Sequence, residues 1–268
     1  MKTRTATKLL ALALALVLLS QGLFSCAPER TVSKYKRPYV SPFNWTELVR
    51  TENGHLAYYE DGVVASRLGV DVSEHQGWID WPSVANDGVE FALIRIGNRG
   101  ATEGLLYPDD YFEANINGAR EAGILVGVYF FSQAISEEEA LEEAAFVLDH
   151  LAGRTLDYPV TFDHEYVTGL NGRTSNLTDE QVSSYARIFC DAIEAAGYET
   201  MLYGNKKDLN RLHYVLLSTH DLWFAEYDSA YPTIERDIAI WQYTSSGSVN
   251  GISTRTDLNI HFLPTERT

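Results

Sequence analysis

Two acidic residues two positions apart, Asp163 and Glu165, close the apolar run Pro159-Val160-Thr161-Phe162. On an extended backbone, alternate residues face one side, so both carboxyls project together with Cα atoms roughly 6–7 Å apart and His164 points the other way. Two carboxyls in a partly dry pocket repel each other, and one keeps its proton to higher pH. The longer, better-buried Glu165 then serves as general acid near neutral pH, and Asp163 stays ionised and supports positive charge. Glycoside hydrolysis uses that division of labour. For an isolated acid-x-acid pair, a solvated strand end is the alternative. Two more acids adjoin apolar runs: Asp71 follows Leu68-Gly69-Val70, and Asp257 opens Asp257-Leu258-Asn259.

The elements that must position these acids follow from periodicity. Apolar strands are predicted over 68–72, 91–96, 125–131, 160–163 and 200–203, alternating with helices over 81–87, 111–122, 136–151 and 178–196. Ser136 with Glu139 and Thr178 with Gln181 have capping-box spacing, and Gly88, Gly123 and Gly197 stand just past helix ends. Beyond Tyr203 long helices run out. Three further strands, over 222–225, 238–243 and 258–262, are joined by short Gly- and Ser-rich links. Repeated strand–helix units make parallel strands covered by helices, and eight strands close a barrel. The expected fold class is α/β, an irregular TIM-like (β/α) barrel with eight strands and fewer than eight helices. An open doubly wound sheet is the alternative, although no Gly-rich phosphate loop follows any strand.

In a parallel barrel, sites form at the carboxyl ends of the strands. Tyr129, Tyr203, Trp223, Tyr227, Trp241 and Gln242 stand at or just beyond strand ends. They are candidates for stacking on sugars and bonding acetamido groups, with core packing as the alternative at each. Arg95 reads as a salt-bridge partner in the barrel. Glu137, Glu138, Glu139, Glu142 and Glu143 read as a solvated face near a helix start.

The formal net charge is −16 over 268 residues, and without Lys2, Arg4 and Lys8 the balance is more acidic still. Such a surface repels phosphates, which excludes nucleic acid as a partner. Residues 1–25 read as an export signal: three basic residues, then an unbroken apolar run over 9–19. A mature bilayer span needs about 20 residues, so the run suits a secretory signal instead. It ends in Leu23-Phe24-Ser25-Cys26, which resembles the bacterial lipobox and makes Cys26 the lipid attachment point of a lipoprotein. Residues 26–40 read as a tether and 41–67 as a short attachment turned at Asn53-Gly54 and Asp61-Gly62. The expectation is an exported, membrane-anchored lipoprotein at the bacterial cell envelope, touching the membrane only through its anchor. Cys190, left alone, reads as a buried inert thiol. No residue cluster suggests a metal, and no cofactor is expected.

The stretch Gly69-Val70-Asp71-Val72-Ser73-Glu74-His75-Gln76-Gly77, with Ile79-Asp80-Trp81 after it, resembles the opening strand of glycoside hydrolase family 25, the Chalaropsis-type lysozymes. Further matches follow in order: Phe91-Ala92-Leu93-Ile94-Arg95, the run from Gly123 to Phe130, Pro159-Val160-Thr161-Phe162-Asp163-His164-Glu165, Leu202-Tyr203, Leu222-Trp223-Phe224-Ala225, Ile240-Trp241-Gln242-Tyr243 and Asp257-Leu258-Asn259. The resemblance covers about 68–262. It implies a lysozyme-like barrel over 68–264 and an N-acetylmuramidase acting on the glycan strands of peptidoglycan, with Glu165 as general acid and Asp163, Asp71 and Asp257 as the family's other acids. Two positions depart from the family. Phe130, not His, follows the third-strand Tyr129, and His164, not an apolar residue or Trp, separates the two acids.

Three mechanisms fit paired carboxyls. Separations of about 5–5.5 Å imply a covalent nucleophile, and about 6.5–9.5 Å imply inversion by an activated water. In the third, the substrate's own 2-acetamido oxygen attacks the anomeric carbon with net retention, and Asp163 orients the acetamido nitrogen. The third is the preferred hypothesis. A non-catalytic wall-binding lipoprotein and a glycosidase of another N-acetylated glycan are the rival functions. Nothing suggests an oligomer, and a monomer is expected.

Overall fold

The computed structural model describes residues 38–166 and 172–263. The export signal and Cys26 lie outside the described residues. The chain divides into two compact units between residues 39 and 40, and the second holds every element below.

A three-stranded antiparallel meander comes first, made of β1 (Leu48–Arg50), β2 (Leu56–Glu60) and β3 (Val63–Val64). Its turns carry Gly54, Asp61 and Gly62 at positive φ. Tyr58 ties it to the next strand by donating its N–H to Ser66 Oγ at 2.9 Å.

The larger sheet begins with β4 (Ser66–Val72), α1 (Trp81–Asn86), β5 (Phe91–Arg99) and a short edge strand β6 (Leu106–Pro108). It continues through α2 (Phe112–Glu121), β7 (Leu125–Phe131), α3 (Glu137–Leu151), β8 (Val160–Asp163) and α4 (Asp179–Ala195). β9 (Thr200–Asn205), two short helices α5 (Lys206–Leu209) and α6 (Tyr214–Thr219), β10 (Asp221–Ala225), β11 (Ile240–Gly247) and β12 (Thr256–Phe262) complete it. Strands β4, β5, β7, β8, β9, β10, β11 and β12 follow one another around the sheet, and β12 returns to β4, closing an eight-stranded barrel. The expected caps are present: Ser136 Oγ accepts from Glu139 N–H, and Thr178 and Gln181 form a reciprocal box.

One strand runs against expectation. β12 is antiparallel to both neighbours, β11 and β4, and the other adjacent pairs are parallel. The link over 248–255 carries no helix, and a parallel return needs a crossover of a dozen or more residues. A short link therefore reverses the strand.

Alternation along the strands separates two cores. Phe91, Leu93, Met201, Trp223 and Ile240 fill the lumen. Their neighbours Ala92, Ile94, Leu202, Phe224 and Trp241 face outward and share a core with the helix residues Ile116, Val147 and Phe189. A Cβ on Gly69 would lie 2.2 Å from the Phe91 ring, so the bare glycine is what lets that ring cross the lumen. Truncating a buried Phe to Ala costs roughly 3–5 kcal/mol, which makes Phe91 a main anchor of the barrel floor.

Candidate active site

The carboxyl ends of the parallel strands gather five acids. Asp71 is the last residue but one of β4, Asp163 closes β8, Glu165 follows two residues later, and Asp208 lies on α5 just after β9. Asp257 joins them because β12 is reversed: its opening end meets the closing end of β4, and Asp257 pairs with Asp71 across the ladder. Asp71 and Asp163 are 6% and 4% exposed. Glu165, Asp71 and Asp208 all act electrostatically on Asp163. His164 turns the other way, buried against Phe162 in the outer core. Burial pushes its imidazole down to about 4, so it stays neutral and structural.

Asp71 is held by a chain of side chains. Its Oδ2 accepts from Gln242 Nε2 and from Asn259 Nδ2, each at 2.8 Å. Trp223 Nε1 donates to Asn259 Oδ1 at 2.7 Å. An indole N–H can only donate, so Trp223 fixes which end of the Asn259 amide meets Asp71. Gln242 Oε1 accepts from Tyr203 OH at 2.8 Å and from Tyr227 OH at 2.6 Å, which orients the second amide in the same way. Below the rim, Arg95 is paired with Asp109 and Glu74, each at 2.8 Å, as expected of a barrel salt bridge.

The proton affinities follow from burial and mutual repulsion. Burial, then the charge of Asp257, raises Asp71 well above the usual carboxylate range; Asp257 is also raised by burial, and the two share a hydrogen bond. Glu165 is pushed up to about 7 by burial, then by Asp208 and Asp257. Asp163 is raised well above its ordinary value by burial, then by Glu165, Asp71 and Asp208, with only Arg95 opposing. Both carboxyls of the pair are raised, where the sequence reading expects only Glu165 to be. The Asp sits deeper in the barrel, so desolvation acts on it at least as hard. Its Oδ1 is buried with no hydrogen-bond partner among the described residues. The Asp208 carboxyl is raised by burial as well. Among the described residues, no group of three or more His, Cys, Asp or Glu side chains has the geometry to hold a metal ion.

Several candidate contacts take other roles. Trp241 is fully buried on the outer face of β11 and donates its indole N–H to Glu226 O at 2.9 Å, so it belongs to the core and offers no face to a sugar. The period-two alternation explains this: Gln242 faces in and Trp241 out. Trp223 and Gln242 are buried too, and act on Asp71 rather than lining an open surface. Tyr129 and Tyr203 are half-buried against Trp223, and Tyr227 is exposed at the rim. The glutamates of α3 are not one solvated face. Glu143 is fully buried on Arg99, and Arg99 also reaches Glu142. Glu139 pairs with Arg173. Cys190 is buried, its thiol pushed up to about 12. The strand-end search did not reach Asp208, because β9 extends to Asn205 and the acid lies in the helical turn beyond. The usable signal was Asn205 itself, a helix-capping residue three positions earlier.

The family model for Glycosyl hydrolases family 25 matches residues 70–252, and the chain belongs to that family. It is 32% identical over 195 residues to the "Autolytic lysozyme" of Clostridium acetobutylicum, covering 71% of this chain and 54% of that protein. It is 28% identical over 207 residues to "Lysozyme M1" of Streptomyces globisporus, covering 71% and 66%. The chain thus spans between half and two thirds of these curated relatives. The crystal structure of the bacterial lysozyme from Streptomyces coelicolor superposes with a TM-score of 0.65 at 26% identity, covering 75% of this chain and 93% of that one.

Proposed function

We propose that the chain is a peptidoglycan hydrolase, an N-acetylmuramidase that cleaves the β-1,4 bond between N-acetylmuramic acid and N-acetylglucosamine. The observation that carries this is Glu165, a carboxyl pushed up to about 7 by burial and by Asp208 and Asp257, beside a buried Asp163 whose Oδ1 has no hydrogen-bond partner among the described residues. Membership of the family and the likeness to proteins named as lysozymes support it.

The reaction is substrate-assisted. Glu165 gives its proton to the leaving glycosidic oxygen as the muramyl acetamido oxygen closes on the anomeric carbon. The acetamido N–H donates to Asp163 Oδ1, and the positive charge growing on that nitrogen lowers the proton affinity of Asp163. Water then opens the cyclic intermediate, returning a proton to Glu165 and leaving the β-anomer. The Asp71–Asp257 pair shapes the floor beneath the sugar, with Tyr129, Tyr203 and Tyr227 along its walls.

Digestion of purified walls followed by reductive mass spectrometry tests the reading. The expected products end in reduced N-acetylmuramic acid, and NMR on a defined oligosaccharide sees the β-anomer first. Products ending in reduced N-acetylglucosamine, or no products, would overturn the bond assignment. The α-anomer appearing first would overturn the mechanism.

The run of apolar residues before Leu23-Phe24-Ser25-Cys26 supports a second part of the proposal, export as a monomeric lipoprotein anchored at the bacterial envelope through Cys26. Labelled palmitate should enter the full chain and not Cys26→Ala; equal labelling of both would sink it.

A further inference from the structure

Asp208 is the one acid of the cluster that the reaction above leaves without a task. It stands on the first turn of α5, set there by Asn205, whose Oδ1 accepts from Lys207 N–H at 2.8 Å and Asp208 N–H at 3.2 Å. A Cβ on Gly204 would lie 2.9 Å from Asp208 Cβ, so the side chain folds back over bare backbone at the end of β9. Its Oδ1 accepts the N–H of Tyr166 at 3.3 Å. That N–H belongs to the peptide joining Glu165 to Tyr166. Its Oδ2 is buried and has no hydrogen-bond partner among the described residues. Lys207 Nζ lies 3.8 Å from the centre of the Tyr166 ring, a second hold on the same residue.

We infer that Asp208 is a positioning residue for Glu165: one oxygen fixes the peptide link that follows Glu165, and the carboxylate, in no ion pair among the described residues, brings negative charge to bear on the Glu165 carboxyl. The inference rests on the glycosidase reading for its kinetic test only. Asp208 is the first charge after burial among the causes that raise Glu165, ahead of Asp257. The cations that face Asp208 are already engaged. Arg211 is held by Asp179 at 3.1 Å and by Leu177 O at 2.8 Å, and Lys207 rests on Tyr166. The other charged groups acting in this corner, Asp163 and Asp257, are acids, and Arg95 acts on Asp163 from below. A carboxylate placed so keeps the general acid protonated at the pH where it must donate.

Asp208→Asn keeps an acceptor for Tyr166 and removes the charge. In the full chain, carbon-13 titration of the Glu165 carboxyl should move down by roughly one pH unit. The alkaline limb of kcat/KM should move with it, so that the rate falls several-fold at pH 7.5 and stays within about twofold at pH 5. Asp208→Ala also frees Tyr166, and kcat should fall at least about tenfold at every pH, because small displacements of a catalytic group are costly. Lys207→Met, an exposed change that leaves Asp208 in place, removes the nearby cation and should move the Glu165 titration upward. A folded Asp208→Asn in which Glu165 titrates as in the wild type would overturn the inference, as would a downward shift in Lys207→Met. A wild type that cuts no wall glycan while the titration shifts persist would overturn the glycosidase reading and leave the positioning role standing.

Discussion

Glu143, fully buried, and Glu165, half-buried, are both pushed up to about 7, yet they stand in opposite company. Glu143 is caged by donors: Arg99 Nε at 2.8 Å, Ser132 Oγ at 2.6 Å and the Gln133 N–H at 3.3 Å. Desolvation raises it, and every neighbour works against that rise. Glu165 forms no ion pair among the described residues, and the charges that act on it, Asp208 and Asp257, add to desolvation. One proton affinity thus has two origins. At Glu143 the ionised form is already accommodated, and the residue braces β5 against α3. At Glu165 the charges that act most on the ionised form are acids, which suits a group whose work is to hold a proton and release it to a substrate. The partners of a buried acid, not its burial, separate structure from chemistry here.

The contrast predicts a large asymmetry in activity. Glu165→Gln should lower wall hydrolysis by about 10²–10⁴-fold, the usual contribution of a general acid, and Glu143→Gln should change it by less than about threefold. Reducing-end release from purified walls measures both, and equal losses would erase the distinction.

Next in size is the stability of the caged acid. Arg99→Met leaves Glu143 buried without its cation and should cost roughly 3–5 kcal/mol at pH 8. The loss should shrink at pH 5, where Glu143 is protonated, and urea unfolding at the two pH values reads the difference. The same loss at both would mean that Arg99 acts through packing alone.

The proton-holding acid should behave in reverse. Its folded pKa, about 7, lies above the ordinary 4.5, so the folded chain binds the proton more tightly than the unfolded one. Stability therefore falls as pH rises from about 4.5 to about 7 and stays low above that. Glu165→Gln removes this loss and should stabilise the protein by roughly 1–3 kcal/mol at pH 8 and by nothing measurable at pH 4. Melting curves at both pH values suffice, and a variant no more stable at pH 8 would discard burial and repulsion as the cause.

The smallest effect concerns the support of Asp71. Trp223→Phe keeps the ring in the lumen and deletes the indole N–H that orients Asn259. Losing one hydrogen bond of this kind is worth about 1 kcal/mol, so kcat/KM should fall roughly threefold to tenfold. Unchanged kinetics would show that Gln242 alone holds the carboxyl.

How much was legible varies residue by residue. The eight barrel strands, the short helix at Trp81 and the three long helices were readable from hydrophobic period and capping residues, which are local signals. Asp71, Asp163 and Glu165 were readable as acids at or near strand ends, and the outward facing of His164 followed from alternation. Asp257 was found by a rule for parallel strands, but it reaches the site because β12 runs antiparallel. Trp241 was misread because its strand register was not known, and Glu143 because its partner lies 44 residues earlier on β5. The Asp71 support joins residues 171 and 188 positions apart, a closure no window of sequence displays.

By itself, then, the order of residues determined which segments are strands and helices, and which acids stand at their ends, since neighbours along the chain set those properties. Only the closed barrel decided strand direction, which side chains share a floor, and how tightly each acid grips its proton. Those depend on water being excluded and on charges brought together from distant parts of the chain, and both arise only when the last strand meets the first.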